Sequence, residues 1–175
     1  EAIGSILSHK YAEGNIGKRY YEGNKYIDAI EKLTIERAKI AFNLPSNWSA
    51  NVQTLSGSTA NLSVYLALLN IGDYIMGLYL PDGGHLSHGW SYTPKVPADP
   101  NKTVYYGGKN KVNISSKIFN TISYKTNPKD QLLDYDEIER IALLQKPKLI
   151  ITGGTAYPRE IDYKRMKEIA NKIGA

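Results

Sequence analysis

The chain has 175 residues, 42% of them hydrophobic and 22% charged, with no cysteine and a formal charge of +5. Disulfide scaffolds, zinc ribbons and thiolate nucleophiles are therefore excluded. A chain of this length buries roughly two-thirds of its unfolded surface, enough for one core rather than two, and no apolar run approaches the ~20 residues of a membrane-spanning helix.

The first residues, Glu1 to Lys10, lack the charged-then-apolar design of a signal peptide, and the chain closes on a helix tail and a capping glycine, Asn171 to Ala175. Both ends read as cut from a longer polypeptide. Nothing directs secretion, so the sequons at Asn47, Asn61, Asn101 and Asn113 read as chance. A cytoplasmic or mitochondrial location is expected.

Residues 1–25 are punctuated by glycine and have no apolar period, which suits an arm that packs on a partner subunit. From Tyr26 to Phe42, Ile27, Ile30, Leu33, Ala38 and Ala41 recur near helical spacing against Lys, Glu and Arg, the pattern of a surface helix. Leu44-Pro45-Ser46-Asn47 breaks it, and Val52 to Leu55 reads as a short strand. Ser56-Gly57-Ser58-Thr59 runs into a second helix, Ala60 to Leu69, with Leu62, Tyr65, Leu66 and Leu69 in one stripe and Ser58 or Thr59 as the cap.

Gly72-Asp73 turns the chain into a strand at Tyr74 to Leu80. A loop with two of the three histidines follows, Pro81 to Gly89. Pro94 to Asn113, rich in Pro, Gly, Asn and Lys, reads as a long exposed segment. Ile118 to Tyr124 is the next expected strand. Asp134 to Glu137 opens a helix with Ile138, Ile141, Ala142 and Leu144 inward. Lys148 to Thr152 reads as a short buried strand, Gly153-Gly154 as a turn, and Asp162 to Ile173 as a helix with Met166, Ile169, Ala170 and Ile173 inward. This order predicts an α/β fold, a layered and mostly parallel sheet with helices on both faces, whose ligand chemistry sits in the loops after the strand ends.

Three constellations carry chemistry. Ser56-Gly57-Ser58 entering a helix brings free N–H groups, hydroxyls and the positive helix end together, as an anion requires, although an ordinary serine cap uses the same residues. Gly83-Gly84 before His85 clears side chains from beside an imidazole, so a planar ligand could lie against it; a metal site built on His85 and His88 lacks a third histidine nearby. Tyr11, Glu13, Arg19, Tyr20 and Tyr21 crowd phenols, a carboxylate and a guanidinium into one short segment. Gly107-Gly108-Lys109 lacks the spacing of a P-loop, and no nucleophile elbow is present. The pI near 9.2 and 14 tyrosines raise RNA binding as another reading, but the charge is spread rather than clustered.

Read in order, Lys10-Tyr11-Ala12-Glu13-Gly14, Gly17-Lys18-Arg19-Tyr20-Tyr21, Asn51-Val52-Gln53, Ser56-Gly57-Ser58 with Ala60-Asn61, Gly83 to Gly89 and Lys146 to Ile151 resemble serine hydroxymethyltransferase. The resemblance covers nearly the whole chain. It implies part of the large, pyridoxal 5'-phosphate-binding domain of an aspartate aminotransferase-like fold, truncated here, in a homodimer or higher oligomer with shared active sites. The implied chemistry interconverts serine and glycine with that cofactor and tetrahydrofolate, or a related pterin.

By the same resemblance Ser56, Gly57 and Ser58 hold the cofactor phosphate, His85 stacks on its ring, and Thr155 stands near its phenolic oxygen. Glu13 handles a proton beside the substrate hydroxyl across the dimer interface, with Tyr11 and Tyr21 positioning substrate and phosphate. Tyr20, Leu80 and Leu86 line the folate site.

The chain departs from the family pattern at Asn15-Ile16-Gly17, where the family has Tyr-Pro-Gly, and at Glu22-Gly23, where it has Gly-Gly. The family's Schiff-base lysine and the aspartate that pairs with the pyridine nitrogen fall beyond Ala175, so the chain alone is expected to be inactive. The other reading kept open is a catalytically inactive paralogue, a structural or regulatory partner of an active enzyme.

Overall fold

The computed structural model describes residues 4–92 and 108–175, so most of the expected exposed segment, residues 94–107, lies outside the described residues. The chain divides into two compact units, Glu1–Leu55 and Ser56–Ala175. Each is taken by itself below.

In the first unit, β1 (Gly14–Asn15) and β2 (Lys18–Arg19) form an antiparallel hairpin that pairs Gly14 with Arg19 and Asn15 with Lys18. Its two-residue turn places Gly17 at φ +70°, a left-handed conformation natural to glycine. The hairpin therefore closes despite the unusual Asn15-Ile16 pair. Helix α1 (Lys25–Ala41) follows, within one residue of the range expected from periodicity, but Ile30 and Leu33 of its apolar stripe are exposed. The strand expected at Val52–Leu55 does not form. The Asn51 side chain accepts a hydrogen bond from the Gln53 N–H at 2.9 Å, a local turn that competes with strand pairing.

The second unit opens with α2 (Gly57–Leu68) and continues through β3 (Tyr74–Leu78), a small antiparallel pair β4 (Ser91–Tyr92) and β5 (Asn110–Lys111), and α3 (Ile114–Ile118). It ends with β6 (Asn120–Tyr124), α4 (Tyr135–Gln145), β7 (Leu149–Ile150) and α5 (Tyr163–Ile173). β3 lies between β6 and β7 and runs parallel to both, with Met76 opposite Ile122 on one side and Ile150 on the other.

Several boundaries differ from the sequence-based expectation for local reasons. The cap of α2 is Ser56, not Ser58 or Thr59: Ser56 N–H donates to Thr59 Oγ1 (3.2 Å), and Thr59 Oγ1–H returns a bond to the Ser56 carbonyl (2.8 Å). Ile118 ends a helix instead of opening a strand, because the Asn113 side chain caps α3 by accepting from Ser115 N–H and Oγ–H. β7 is only two residues and half-buried, although Lys148 and Ile151 extend its ladder by donating to Tyr74 and Met76 carbonyls. The last part of the expected exposed segment is ordered, since Asn110 and Lys111 pair with Tyr92 and Ser91.

The two faces of the sheet are built differently. Met76, Leu78, Ile122 and Tyr124 point to one face, where Ile138, Ile141 and Ala142 of α4 and Met166 and Ile169 of α5 complete the main core. Leu144, expected inward, is exposed. Ile75 points to the opposite face, and with Phe119 and Tyr65 of α2 it forms a second, smaller core. Tyr65 meets Phe119 edge to face at 6.0 Å. Of the α2 stripe only Tyr65 is fully buried, and Leu66 is exposed. The expected layered α/β arrangement, a parallel sheet with helices on both faces, is the one observed.

Candidate active site

The loops that follow β3 and β7 meet at the carboxyl end of the sheet. The Gly83 carbonyl accepts hydrogen bonds from Thr155 N–H (2.8 Å) and Ala156 N–H (3.0 Å). This contact requires bare backbone. A Cβ on Gly84 would stand 2.0 Å from the Leu78 carbonyl oxygen, and one on Gly83 would stand 2.6 Å from the Tyr157 nitrogen. The third loop is tied in by Asp82, whose carboxylate accepts from Thr126 N–H at 2.8 Å. Thr155 thus lies on a loop bonded two residues from His85. Its outer rim is held by Tyr157, whose hydroxyl accepts from Leu133 N–H, and by Tyr135, which accepts from Asp162 N–H.

His85 begins a short turn, residues Leu86–His88, that folds back across the α2 face of the sheet. Small residues make room for it. Gly77 meets the Cβ of His88, and Gly89 is pressed against the Thr121 side chain. Burial, and secondarily the neighbouring His85, pushes the His88 imidazole down to about 4, so it is neutral near pH 7. The two rings lie edge to face, 5.8 Å apart.

A chain of hydrogen bonds joins the His85 ring to α2. Asn61 Nδ2 donates to Ser87 Oγ at 2.8 Å, and Ser87 Oγ lies 2.7 Å from His85 Nδ1. Asn61 is in the second turn of α2, just past Ser56, Gly57 and Ser58. The imidazole is therefore connected through two side chains to the second turn of the helix that Ser56, Gly57 and Ser58 open. Tyr65, one turn beyond Asn61, is only 2% exposed, and its hydroxyl lies towards Ser87 without reaching hydrogen-bond geometry. Burial pushes that phenol up to about 12.

Leu80 is half-buried and Leu86 exposed on either side of the two glycines. An open groove of about 500 Å³ lies farther along the β7 loop, between Gly153, Tyr157, Arg159 and Tyr163.

The other expected site residues gather on the hairpin of the first unit. Tyr11 and Tyr20 are 70% and 80% exposed, Glu13 is exposed, and the Tyr11 and Tyr21 rings lie 5.5 Å apart. Beneath them Arg19 has a side chain only 5% exposed. Its guanidinium donates to the carbonyls of Ala12 (2.8 Å) and Gly14 (2.6 Å), which flank Glu13, and pairs with Asp28 (2.7 Å) and Glu31. Those bonds hold both carboxyl groups below their ordinary range and raise Arg19. Asn24 adds bonds to the carbonyls of Tyr11 and Tyr21.

Sequence reasoning did not single out Asn61, Ser87, or Arg19 as the hub beneath the hairpin. The readable signals were a polar residue on the buried side of α2, a serine between two histidines, and Gly77 inside an apolar strand, which marks close approach of another segment.

Among the described residues no helix is long and apolar enough to cross a membrane, and no group of three or more His, Asp and Glu is placed to hold a metal ion.

The family model for serine hydroxymethyltransferase matches residues 1–175. The chain is 48% identical to the cytosolic serine hydroxymethyltransferase of Candida glabrata, covering all of this chain and 34% of that protein. It is 51% identical to the serine hydroxymethyltransferase of Rickettsia akari, again over its whole length and 36% of the relative. Serine hydroxymethyltransferase 7 of Arabidopsis thaliana is 48% identical, with 27% of its length covered. The chain thus spans about a third of the length of the curated relatives it matches. On a match along its whole length, the chain belongs to the serine hydroxymethyltransferase family.

Proposed function

We propose that the chain supplies the cofactor-phosphate site of a pyridoxal 5'-phosphate-dependent enzyme that interconverts serine and glycine, with tetrahydrofolate or a related pterin as the one-carbon carrier. The observation that carries this reading is the Asn61–Ser87–His85 connection, which ties an imidazole to the second turn of the twelve-residue helix that Ser56, Gly57 and Ser58 open. An anion at that helix end and a ring against His85 describe a phosphorylated planar ligand.

The residues present fit the cofactor. The first-turn N–H groups of α2 have no acceptor within the helix, the Ser56 and Ser58 hydroxyls flank them, and a Cβ on Gly57 would meet nothing within 4 Å. Ser56, Gly57 and Ser58 would bind the phosphate by charge-assisted hydrogen bonds. His85 would cover the ring, and Thr155 would face its phenolic oxygen. When bound, the cofactor supplies an electron sink for bond making and breaking at the amino acid's α-carbon.

The hairpin residues complete the proposal. In a homodimer or higher oligomer Tyr11, Glu13 and Tyr21 of one copy would serve the site of its partner. Glu13 would hold a proton at the substrate hydroxyl while the two phenols orient substrate and phosphate. Tyr20, Leu80 and Leu86 would contact the pterin. The exposure of Tyr11, Tyr20, Tyr21 and Leu86 supports a role outside the chain's own core. A cytoplasmic or mitochondrial setting suits this chemistry.

The test is a calorimetric titration of the chain with pyridoxal 5'-phosphate and with pyridoxal. The phosphorylated form is expected to bind at least ~10-fold more tightly, a difference of about 1.4 kcal/mol, and Ser56→Ala and Ser58→Ala should narrow the gap. Equal affinity for the two aldehydes would refute the phosphate site. The polypeptide carrying this chain should also exchange serine and glycine in the presence of tetrahydrofolate; a pure polypeptide with bound cofactor and no exchange would favour the inactive-paralogue reading.

A further inference from the structure

The hydrogen bonds around His85 fix more than its position. Its Nδ1 lies 3.1 Å from the backbone nitrogen of Ser87, and a peptide N–H can only donate. Nδ1 must therefore be the bare, accepting nitrogen. The Ser87 hydroxyl, 2.7 Å from the same atom, receives the Asn61 amide proton on its oxygen and has its own proton left to give. Donation consequently runs in one direction, from Asn61 to Ser87 to His85, and the proton of the neutral ring is left on Nε2.

We propose that Asn61 and Ser87 are positioning residues that lock His85 into a single ring orientation and the Nε2–H tautomer, so that the site receives an imidazole with a fixed face and a fixed donor. The opposite tautomer would set Nδ1–H against the Ser87 N–H and lose that bond, keeping only a reversed bond to the Ser87 oxygen. Rotation of the ring about its Cβ–Cγ bond would move Nδ1 away from two donors at once. The second histidine reinforces the arrangement, since His88 Nδ1 accepts from the His85 backbone N–H at 3.3 Å and so anchors the main chain from which the ring projects. Second-sphere hydrogen bonds of this kind set which ring nitrogen carries the proton. The ligand expected against that ring rests on the cofactor reading above, whereas the tautomer does not.

The experiment reads the tautomer directly. The full chain is labelled with [15N]histidine, and its three histidines are assigned with His9→Gln and His88→Gln. With no cofactor added, the His85 ring is expected to show one unprotonated nitrogen, Nδ1, and one N–H nitrogen, Nε2. Ser87→Ala removes the hydroxyl and keeps the peptide N–H, so it should move both nitrogen signals part of the way towards the averaged values of exchanging tautomers, while Ser87→Thr, which keeps the hydroxyl, should restore the pattern. A wild-type ring with its proton on Nδ1, or a Ser87→Ala ring identical to wild type, overturns the proposal. Should Ser87→Ala fail to fold, the wild-type spectrum and Asn61→Ala, expected to broaden the same signals, decide it. Titration with pyridoxal 5'-phosphate is a separate arm, in which Ser87→Ala should bind about 10-fold more weakly, the worth of roughly one hydrogen bond. A locked tautomer without cofactor binding would sink the cofactor reading and leave the positioning role standing.

Discussion

Gly77 and His88 touch across the face of the sheet that looks towards α2: a Cβ built on Gly77 would lie 2.9 Å from the Cβ of His88. That gap admits a hydrogen atom and no carbon. It lets the His85 turn lie flat on β3, and it places the imidazole near α2 instead of in solvent.

Gly77→Ala should therefore push the turn off the sheet. The obstructing atom is a Cβ, fixed to the main chain, so the strain cannot be relieved by a side-chain rotation. A destabilisation of about 1–3 kcal/mol is expected, read as a lower thermal midpoint. An unchanged midpoint would mean that the turn does not lie against β3.

His88 gives a pH dependence of defined sign. Its imidazole is at about 4 in the folded chain and 6.5 ordinarily. Between those values the unfolded chain binds a proton that the folded chain refuses. The contribution to stability is thus complete above pH 6.5 and lost as the pH falls towards 4. Chemical denaturation at closely spaced pH values should show this slope, and His88→Gln should remove it from that window. Retention of the full slope in the variant would assign it to other groups.

Tyr65→Phe should stabilise the second unit. The hydroxyl is buried without a hydrogen bond, while the ring packs edge-on against Phe119. An unsatisfied buried polar group costs about 1–3 kcal/mol, and phenylalanine keeps the ring. A rise in denaturation midpoint is the expected reading; a fall would show that the hydroxyl has a partner.

Arg19→Lys should loosen the hairpin that presents Glu13. An ammonium cannot serve the Ala12 and Gly14 carbonyls together with Asp28 and Glu31, as the guanidinium fork does. Hydrogen exchange at the Tyr20 amide, bonded to the Glu13 carbonyl, should accelerate. Because the folded pKa values of Asp28 and Glu31 lie below the ordinary 3.8 and 4.5, their ion pairs contribute above that range and are lost as the pH falls through the folded values. Protection of Tyr20 should weaken there in the wild type, and that acid dependence should be smaller in Arg19→Lys.

Much of the architecture was legible in the sequence. Periodicity placed α1 and α5 to within one residue, because a helix facing a core must repeat its apolar residues every three or four positions, and the acidic run at Asp134 marked where α4 opens. The short strands were harder. Val52–Leu55 has strand-like composition, yet one asparagine side chain turned the backbone, and Asn113 converted the start of an expected strand into a helix. Such choices turn on single hydrogen bonds, which composition does not display.

The sequence by itself determined the family, the helix that opens on Ser56-Gly57-Ser58 and the glycines that free the loop around His85, since these are local patterns of spacing and conformational freedom. The tertiary structure alone decided which side chains reach one another. Asn61 and Ser87 are 26 residues apart along the chain, and only the return of the turn over Gly77 brings them to hydrogen-bonding distance. Arg19 reads in the sequence as a guanidinium among phenols and a carboxylate, and only the folded hairpin brings it to the Ala12 and Gly14 carbonyls and to Asp28 and Glu31. Hydrogen bonds act over about 3 Å, and proximity on that scale between distant residues is a property of the packed fold.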